Sequence, residues 1–277
     1  MADVQTRLGM RICAKASLAE SIMMFESGGA DSGGALQMTK KFDFTFADIE
    51  QHLAVALQHG YHFLTCEEYA HAKVNGVFPE RTLVTRVDID YSCVKAQRLV
   101  NILNRLGIKA TFFVRLHAPE YNPFAFENYI VLKNIRDSGH EIGYHSEVID
   151  QAAIWNEDAE VCLIRDIEIL NSMLQIEIKG VASHGGMTGL NNLDFWKDKN
   201  PCDFGLVYEA YDKSTKFNLF DESFYISDSE WTRWKCYNRG NLVDGDRRSP
   251  SEHILDGHEL IYLLIHPDTY FDRHFYE

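Results

Sequence analysis

The chain has no apolar run of about 18 residues or more, so no membrane-spanning helix is expected. No continuous apolar segment follows the basic residues Arg7, Arg11 and Lys15, which argues against a secretory signal. Cysteine is sparse: Cys13, Cys66, Cys93, Cys162, Cys202 and Cys236 are scattered, with no Cys-x-x-Cys pair. Neither a zinc ribbon nor a disulfide framework is supported, and reduced thiols in a cytoplasmic protein are expected. Positive charge is in deficit, with 27 Lys and Arg against 41 Asp and Glu and a formal net charge of −14. Such a surface repels phosphate backbones, so a nucleic-acid partner is not expected.

What remains is enough for one large α/β domain. The 277 residues are 45% hydrophobic and 25% charged, sufficient to bury a core. Residues 1–40 differ from the rest and are expected to form an N-terminal arm. Arg11 to Phe25 fits one amphipathic helix, and Glu26 to Ala35 reads ESGGADSGGA, a flexible Gly/Ser-rich linker. Residues 41–277 are expected to form a single domain. The arm permits packing on a partner subunit, and a homo-oligomer is compatible with it.

From Lys41 the pattern alternates between helix and strand. Ile49, Leu53, Ala56 and Leu57 share a helical face over Asp48–His59, with Thr45 and Asp48 spaced as a capping box and Gly60 as the stop. Leu83, Val84, Val87 and Ile89 predict a buried strand over Arg81–Asp90. Lys95–Leu106 predicts a helix ended by Gly107. Ile108–Val114 and Glu141–His145 predict strands, separated by a helix ending at Gly139. Asn156–Leu174 predicts one long helix, and Val181–His184, Phe204–Tyr208 and Leu260–His266 predict further strands. At least six such units imply a mostly parallel sheet, and suggest a barrel rather than an open sheet.

Ionisable residues gather where these strands end: Asp88 and Asp90, His145, His184 and His266. In parallel α/β folds that edge is where sites are built. Asp88 and Asp90 are two apart on an extended segment, so they project to one face. Two carboxylates there repel unless a cation or shared proton intervenes. One can bind a divalent metal while the other acts as general base; the bland alternative is a turn or cap before the helix at Lys95. His145 beside these carboxylates suits zinc or a similar ion, or else a loop hydrogen bond. His184, in Ser183-His-Gly-Gly186, is either a ligand or part of a glycine turn. His266 fits a general acid, or a strand-end histidine in a crevice. His140 should lie away from the strand exits. Trp231 and Trp234 could stack on a sugar ring or pack in the core.

At these residues the chain resembles the NodB-homology polysaccharide deacetylases, carbohydrate esterase family four. Thr85-Arg-Val-Asp-Ile-Asp90 is similar to the family's first motif. Leu106-Gly-Ile-Lys-Ala-Thr-Phe-Phe-Val114 is similar to the strand after the first helix. Ser138-Gly-His-Glu-Ile-Gly-Tyr-His-Ser146 is similar to the lead into the second motif, and Leu264-Ile-His266 to a late Leu-x-His motif. The resemblance spans roughly residues 42–270 and implies a distorted (β/α)7 barrel. It implies that Asp88 is the base, Asp90 and His145 are metal ligands, and His266 is the acid that protonates the leaving amine. One departure matters. The second motif's later histidine is Ile149 here, so Glu147, Asp150 or His184 must replace it if a metal is bound. The family's Arg-containing third motif is replaced by Ser183-His-Gly-Gly186.

The expected activity is metal-dependent deacylation of an N-acylated amino sugar, with one zinc ion. The expected setting is bacterial surface-polysaccharide synthesis (lipopolysaccharide O-antigen or capsule), on a nucleotide- or lipid-linked glycan. Arg86, Tyr144, Glu147, Asn191, Asp228 and Trp234 are expected to bind substrate, and His184 to join the metal set. The alternative, motivated by Ile149, is a metal-free glycan-binding or remodelled protein on the same barrel.

Overall fold

The computed structural model describes residues 43–273. The expected arm and linker of residues 1–40 lie outside the described residues. In chain order the elements are α1 (Phe46–Gln58), β1 (His62–Leu64), α2 (Cys66–Asn75), β2 (Thr82–Ile89), α3 (Cys93–Leu106), β3 (Thr111–Val114), α4 (Phe126–Asp137), β4 (Glu141–Ser146), α5 (Val148–Trp155), α6 (Ala159–Leu174), β5 (Gly180–Ser183), β6 (Tyr208–Glu209), α7 (Leu219–Glu222), β7 (Phe224–Ser227), β8 (Lys235–Asn238), β9 (Asn241–Leu242), α8 (Pro250–Asp256) and β10 (Leu260–Ile265). The expected capping box starts α1: the Asp48 N–H donates to Thr45 Oγ1 at 3.1 Å, and the Thr45 N–H donates to the Asp48 carboxylate at 3.1 Å.

The strands form one sheet in the order β6-β5-β4-β3-β2-β10-β7-β8-β9, with β1 also on β2. From β6 to β7 every ladder is parallel; β8 and β9 continue antiparallel. Strand β2 is buried along its whole length. Its first half pairs with β1, its second half with β3, and β10 runs along its other edge.

Side chains alternate along the strands into two apolar clusters. Leu83, Val87, Phe112, Ile142 and Leu263 cluster with helix residues such as Leu99, Leu103, Leu132 and Leu170. Val84, Phe113, Ala182, Tyr208, Tyr225 and Tyr262 form a second, enclosed cluster. That second cluster joins β6 to β7, the two ends of the parallel run. Just past β6, the Tyr211 hydroxyl lies 3.2 Å from that of Tyr225 on β7. The parallel run therefore curls into a distorted barrel. Among the described residues no ladder joins β6 to β7, and side chains close the seam. Glycine makes room inside: a Cβ on Gly180 would lie 2.0 Å from the Tyr208 ring, and one on Gly143 2.4 Å from Phe113.

Three expectations change. The helix predicted over Asn156–Leu174 starts at Ala159, where the Asp158 carboxylate accepts from the Glu160 and Val161 N–H groups. Asn156, in the left-handed region at φ 54°, instead ends α5, which the sequence pattern did not separate. Of the strand predicted over Phe204–Tyr208, Phe204 closes a 3-10 turn, Pro201–Phe204, that Gly205 ends at φ 74°. Only Tyr208 and Glu209 remain for β6. The short segments β7, β8 and β9 were not foreseen.

His140 lies before β4, away from the strand exits, as expected. It is 6% exposed, edge-on to the Phe112 ring, and its Nδ1 accepts from the Ala110 N–H at 3.3 Å. Burial, aided by the Lys109 charge, pushes its pKa down from 6.5 to about 4. Above pH 6.5 the ring is neutral in both folded and unfolded chains; between 6.5 and about 4 only the unfolded chain takes the proton. Stability should therefore fall with pH across that window, by on the order of 3 kcal/mol when complete. Urea unfolding of the wild type and of His140→Gln, which keeps an acceptor for Ala110, should diverge in slope over this range. Parallel pH profiles would contradict the assignment.

Candidate metal and active site

The alternation of β2 sends Val84, Arg86, Asp88 and Asp90 to the barrel interior. Val84 enters the apolar cluster below, while the next three lie at the strand's C-terminal end. Asp88 is 2% exposed and clamped by Arg86, with Nε to Oδ1 at 2.8 Å and Nη2 to Oδ2 at 2.7 Å. Arg86 is itself packed between the Phe113 and Tyr211 rings, 5.4 and 4.9 Å from their centroids. Burial pushes the Asp88 carboxyl upward, but Arg86 and then His145 outweigh it and hold it below the usual range.

Asp90 does not cap the next helix; Ser92 does, its Oγ accepting from the Lys95 N–H at 3.3 Å. Asp90 instead faces three histidines. Its Oδ1 lies 3.3 Å from His145 Nε2 and 4.0 Å from His184 Nε2, and its Oδ2 lies 3.8 Å from His266 Nε2. Burial raises its pKa and the His145 contact lowers it further than that, so it is held well down.

His145 ends β4 on the interior face. Its Nδ1 donates to the Ala182 carbonyl at 2.8 Å, which leaves Nε2 aimed at both carboxylates. His184 sits one residue beyond β5, and its N–H donates to the Ser146 carbonyl at 2.9 Å. Its ring stands edge-on to His145, with centroids 5.1 Å apart. Ligand-type atoms of Asp90, His145 and His184 all lie within 4.8 Å of one another. Asp90 Oδ1 is buried and has no hydrogen-bond partner. A carboxylate oxygen and two imidazole nitrogens converging in this way fit a divalent ion such as zinc.

The residue behind His184 is Glu147. Its Oε1 lies 3.3 Å from His184 Nδ1 and accepts from Arg115 Nη2 at 2.7 Å. Arg115 also donates to the Asp90 carbonyl at 3.0 Å. Asp150 is not near a metal position. Its carboxylate accepts from the Met187 and Thr188 N–H groups, the Thr188 hydroxyl and Asn192 Nδ2. Asn192 Oδ1 in turn accepts from the Ile149 and Asp150 N–H groups. This reciprocal pair ties the loop after His184 to the start of α5. Ile149 packs against the helix-side core.

His266 follows β10. Asp228 accepts from its Nδ1 at 2.6 Å and from its backbone N–H at 2.8 Å. Burial pushes His266 down, but Asp228 more than offsets this and holds its pKa up at about 9. Beside it stands the Trp231 ring, its centroid 6.2 Å from that of His266, and Tyr91 extends this aromatic wall at 5.7 Å from Trp231. Trp231 is 42% exposed and held in the left-handed region at φ 64°. Asp88, Asp90, His145, His184, His266, Tyr91 and Trp231 open on one cavity of about 370 Å³, which Tyr211, Tyr237 and Lys235 also line.

The structure thus brings together Asp88, Asp90, His145, His184 and His266, and places Tyr144, Asn191 and Trp234 outside the cavity lining. Tyr144 points to the opposite face of β4 from His145, fully buried, with its hydroxyl on Asp166 at 2.6 Å. Asn191 only caps the turn at Leu193. Trp234 is 1% exposed and packs on Phe44 and His52. Arg86, Glu147 and Asp228 serve other site residues through the bonds given above. Arg115, Asn192 and Tyr91 are the groups the sequence did not single out as site residues; of the two tryptophans read as sugar-stacking or core, Trp231 is the one at the cavity. Trp231 carried a signal, since it stands three residues after Asp228.

The Arg86–Asp88 pair predicts its own energetics. Breaking it leaves a buried charge uncompensated, which costs about 3–5 kcal/mol. Arg86→Leu should lower the unfolding free energy by that amount in denaturant titrations, and the double variant Arg86→Leu/Asp88→Leu should recover part of it. Equal loss in the single and double variants would contradict the pairing.

With the geometry in hand, comparisons place the chain among known proteins. Residues 76–202 match the polysaccharide deacetylase family. No curated protein matches the chain. Among solved structures it is similar to the BpsB deacetylase domain from Bordetella bronchiseptica, at 13% identity and TM-score 0.43, over 87% of this chain and 90% of that one. It is also similar to the Streptococcus pyogenes deacetylase PplD, at 16% and 0.42, over 55% and 68%. A third is BA3943 from Bacillus anthracis, a CE4 family pseudoenzyme, at 14% and 0.40, over 69% of this chain and 57% of that one. Residues 76–202, with the β2, β4 and β5 strand ends that carry Asp90, His145 and His184, are thus similar to the polysaccharide deacetylase family, in a divergent NodB-type form.

Proposed function

We propose that the protein is a metal-dependent deacylase of an N-acylated amino sugar, with zinc held by Asp90, His145 and His184. The observation that carries this reading is the convergence of those three side chains between Asp88 and His266. The reaction class, hydrolysis of a non-peptide C–N bond on a carbohydrate, follows from the family. His184, arriving from a different strand end, supplies what Ile149 lacks. This convergence supports the metal-dependent reading over a metal-free glycan-binding protein on the same barrel.

Bound there, a divalent ion supplies a Lewis acid for the acyl oxygen and lowers the pKa of water. Asp88, fixed by Arg86, accepts the proton of the attacking water. His266, kept protonated by Asp228, gives a proton to the leaving amine nitrogen. Trp231 and Tyr91 wall the cavity beside His266, where an acyl group and sugar ring can pack without water. Glu147 and Arg115 hold His184 in place, as partners behind a metal ligand do. The proposed setting is cytoplasmic synthesis of O-antigen or capsule, on a nucleotide- or lipid-linked precursor. Five described cysteines are free and four of them buried, which is compatible with a reducing compartment. No helix of the described residues is long and apolar enough to cross a membrane.

Acetate release from N-acetylated amino-sugar glycans should require zinc and cease after chelation. Asp88→Asn should lower kcat by roughly 10²–10⁴-fold while zinc content holds. His184→Ala should weaken zinc binding by more than the roughly 100-fold cost of losing an outer partner, and Ile149→Ala should leave binding unchanged. Full activity in the His184→Ala protein after chelation would overturn the reading.

A further inference from the structure

A second set of metal-type donors lies away from the cavity, where β8, the following loop and α8 meet. Cys236 on β8 points its Sγ at His253 Nε2 on α8, 3.4 Å away. The same nitrogen faces Asp246 Oδ2 at 3.6 Å. Ligand-type atoms of the three lie within 4.8 Å of one another. Cys236 and His253 are completely buried, and the Asp246 side chain is 8% exposed. A strand, the loop after it and a helix thus place sulfur, nitrogen and oxygen around one point.

A thiol–imidazole hydrogen bond explains only part of this. If His253 Nε2 accepts the thiol proton, its lone pair is committed and it has nothing to offer the carboxylate. If Nε2 carries a proton, it donates to Asp246 and leaves the thiol with only the Arg248 carbonyl, at a long 4.0 Å. A divalent cation satisfies a thiolate, an imidazole and a carboxylate together, and this donor set is one that zinc takes. The carboxylate is also oriented from behind. Arg248 donates to Asp246 through Nε at 3.1 Å and Nη2 at 2.8 Å, the arrangement of an outer partner to a ligating carboxylate. The Arg248 carbonyl oxygen lies 4.0 Å from Cys236 Sγ, so a further oxygen borders the site. On the other side, the Phe224 ring lies 4.3 Å from that of His253 and keeps it apolar.

We propose that Cys236, Asp246 and His253 form a second, structural zinc site. The segment between β9 and α8 carries Asp244, Asp246, Arg247 and Arg248, and has few apolar residues to hold it down. The ion pins this segment to the barrel wall, between a strand and a helix that the core already fixes. The site shares no residue with the Asp90 cluster and does not depend on the deacylase reading.

Cobalt(II) titration of the full chain tests it. A thiolate–cobalt charge-transfer band reports only a site containing sulfur, which the Asp90–His145–His184 set lacks. The band should appear in the wild type, persist in Asp90→Ala and in His258→Ala, and vanish in Cys236→Ser. Asp246→Asn, a change on the loop, should keep the fold and weaken cobalt binding at this band at least tenfold. Zinc content of Cys236→Ser should be one equivalent below wild type. Absence of the band in the wild type, its survival in Cys236→Ser, or unchanged affinity in Asp246→Asn would overturn the proposal.

Discussion

Asp88 and Asp90 stand side by side on the interior face of a strand buried along its whole length. Two negative charges in so little water repel strongly, and each needs its own positive partner. Asp88 has a built-in one: Arg86, two residues earlier on the same strand, reaches it with both nitrogens of a fork. Asp90 has no arginine of its own. It has three imidazoles around it and a buried oxygen without a hydrogen bond. Much of the upper barrel follows from this inequality.

The delivery of His184 depends on several local devices. The β4–β5 ladder sets Ala182 opposite His145, so the two histidines emerge on the same face. The Ser146 carbonyl fixes the His184 backbone, and Glu147 meets its ring. Asp150 and Asn192 hold the loop beyond. In the motif as the resemblance implies it, ligands arrive four residues apart on one turn. Here they come from two strand ends, and the position of Ile149 returns to the hydrophobic core.

The strands and helices of the first two thirds were legible because period-two and helical patterns are local properties. The strand-end residues were legible for the same reason: a polar residue closing an apolar run marks the rim of a parallel sheet. What local pattern cannot carry is direction and distance. Tyr144 and His145 are neighbours, but alternation sends one to the helix side and the other to the cavity. Trp231 and Trp234 stand three apart, and only the turn at Asp228 decides which meets His266. Asn191 and Asn192 look alike in sequence, yet the second ties the loop to α5. The β7–β8 hairpin escaped notice because its strands are short and follow no long apolar run. Arg115 escaped because a buried arginine becomes understandable only when its partner, Glu147, is in view.

The central claim is that His184, rather than a residue near Ile149, completes a metal set with Asp90 and His145. An anomalous-scattering map from zinc-loaded crystals, recorded across the zinc edge, tests it most directly. The account predicts a peak bonded to one carboxylate oxygen of Asp90 and to Nε2 of both His145 and His184, at about 2.0–2.2 Å. A zinc-loaded crystal with no peak between these three residues, or with a peak that leaves out His184 and takes Glu147 or Asp150 instead, would contradict it.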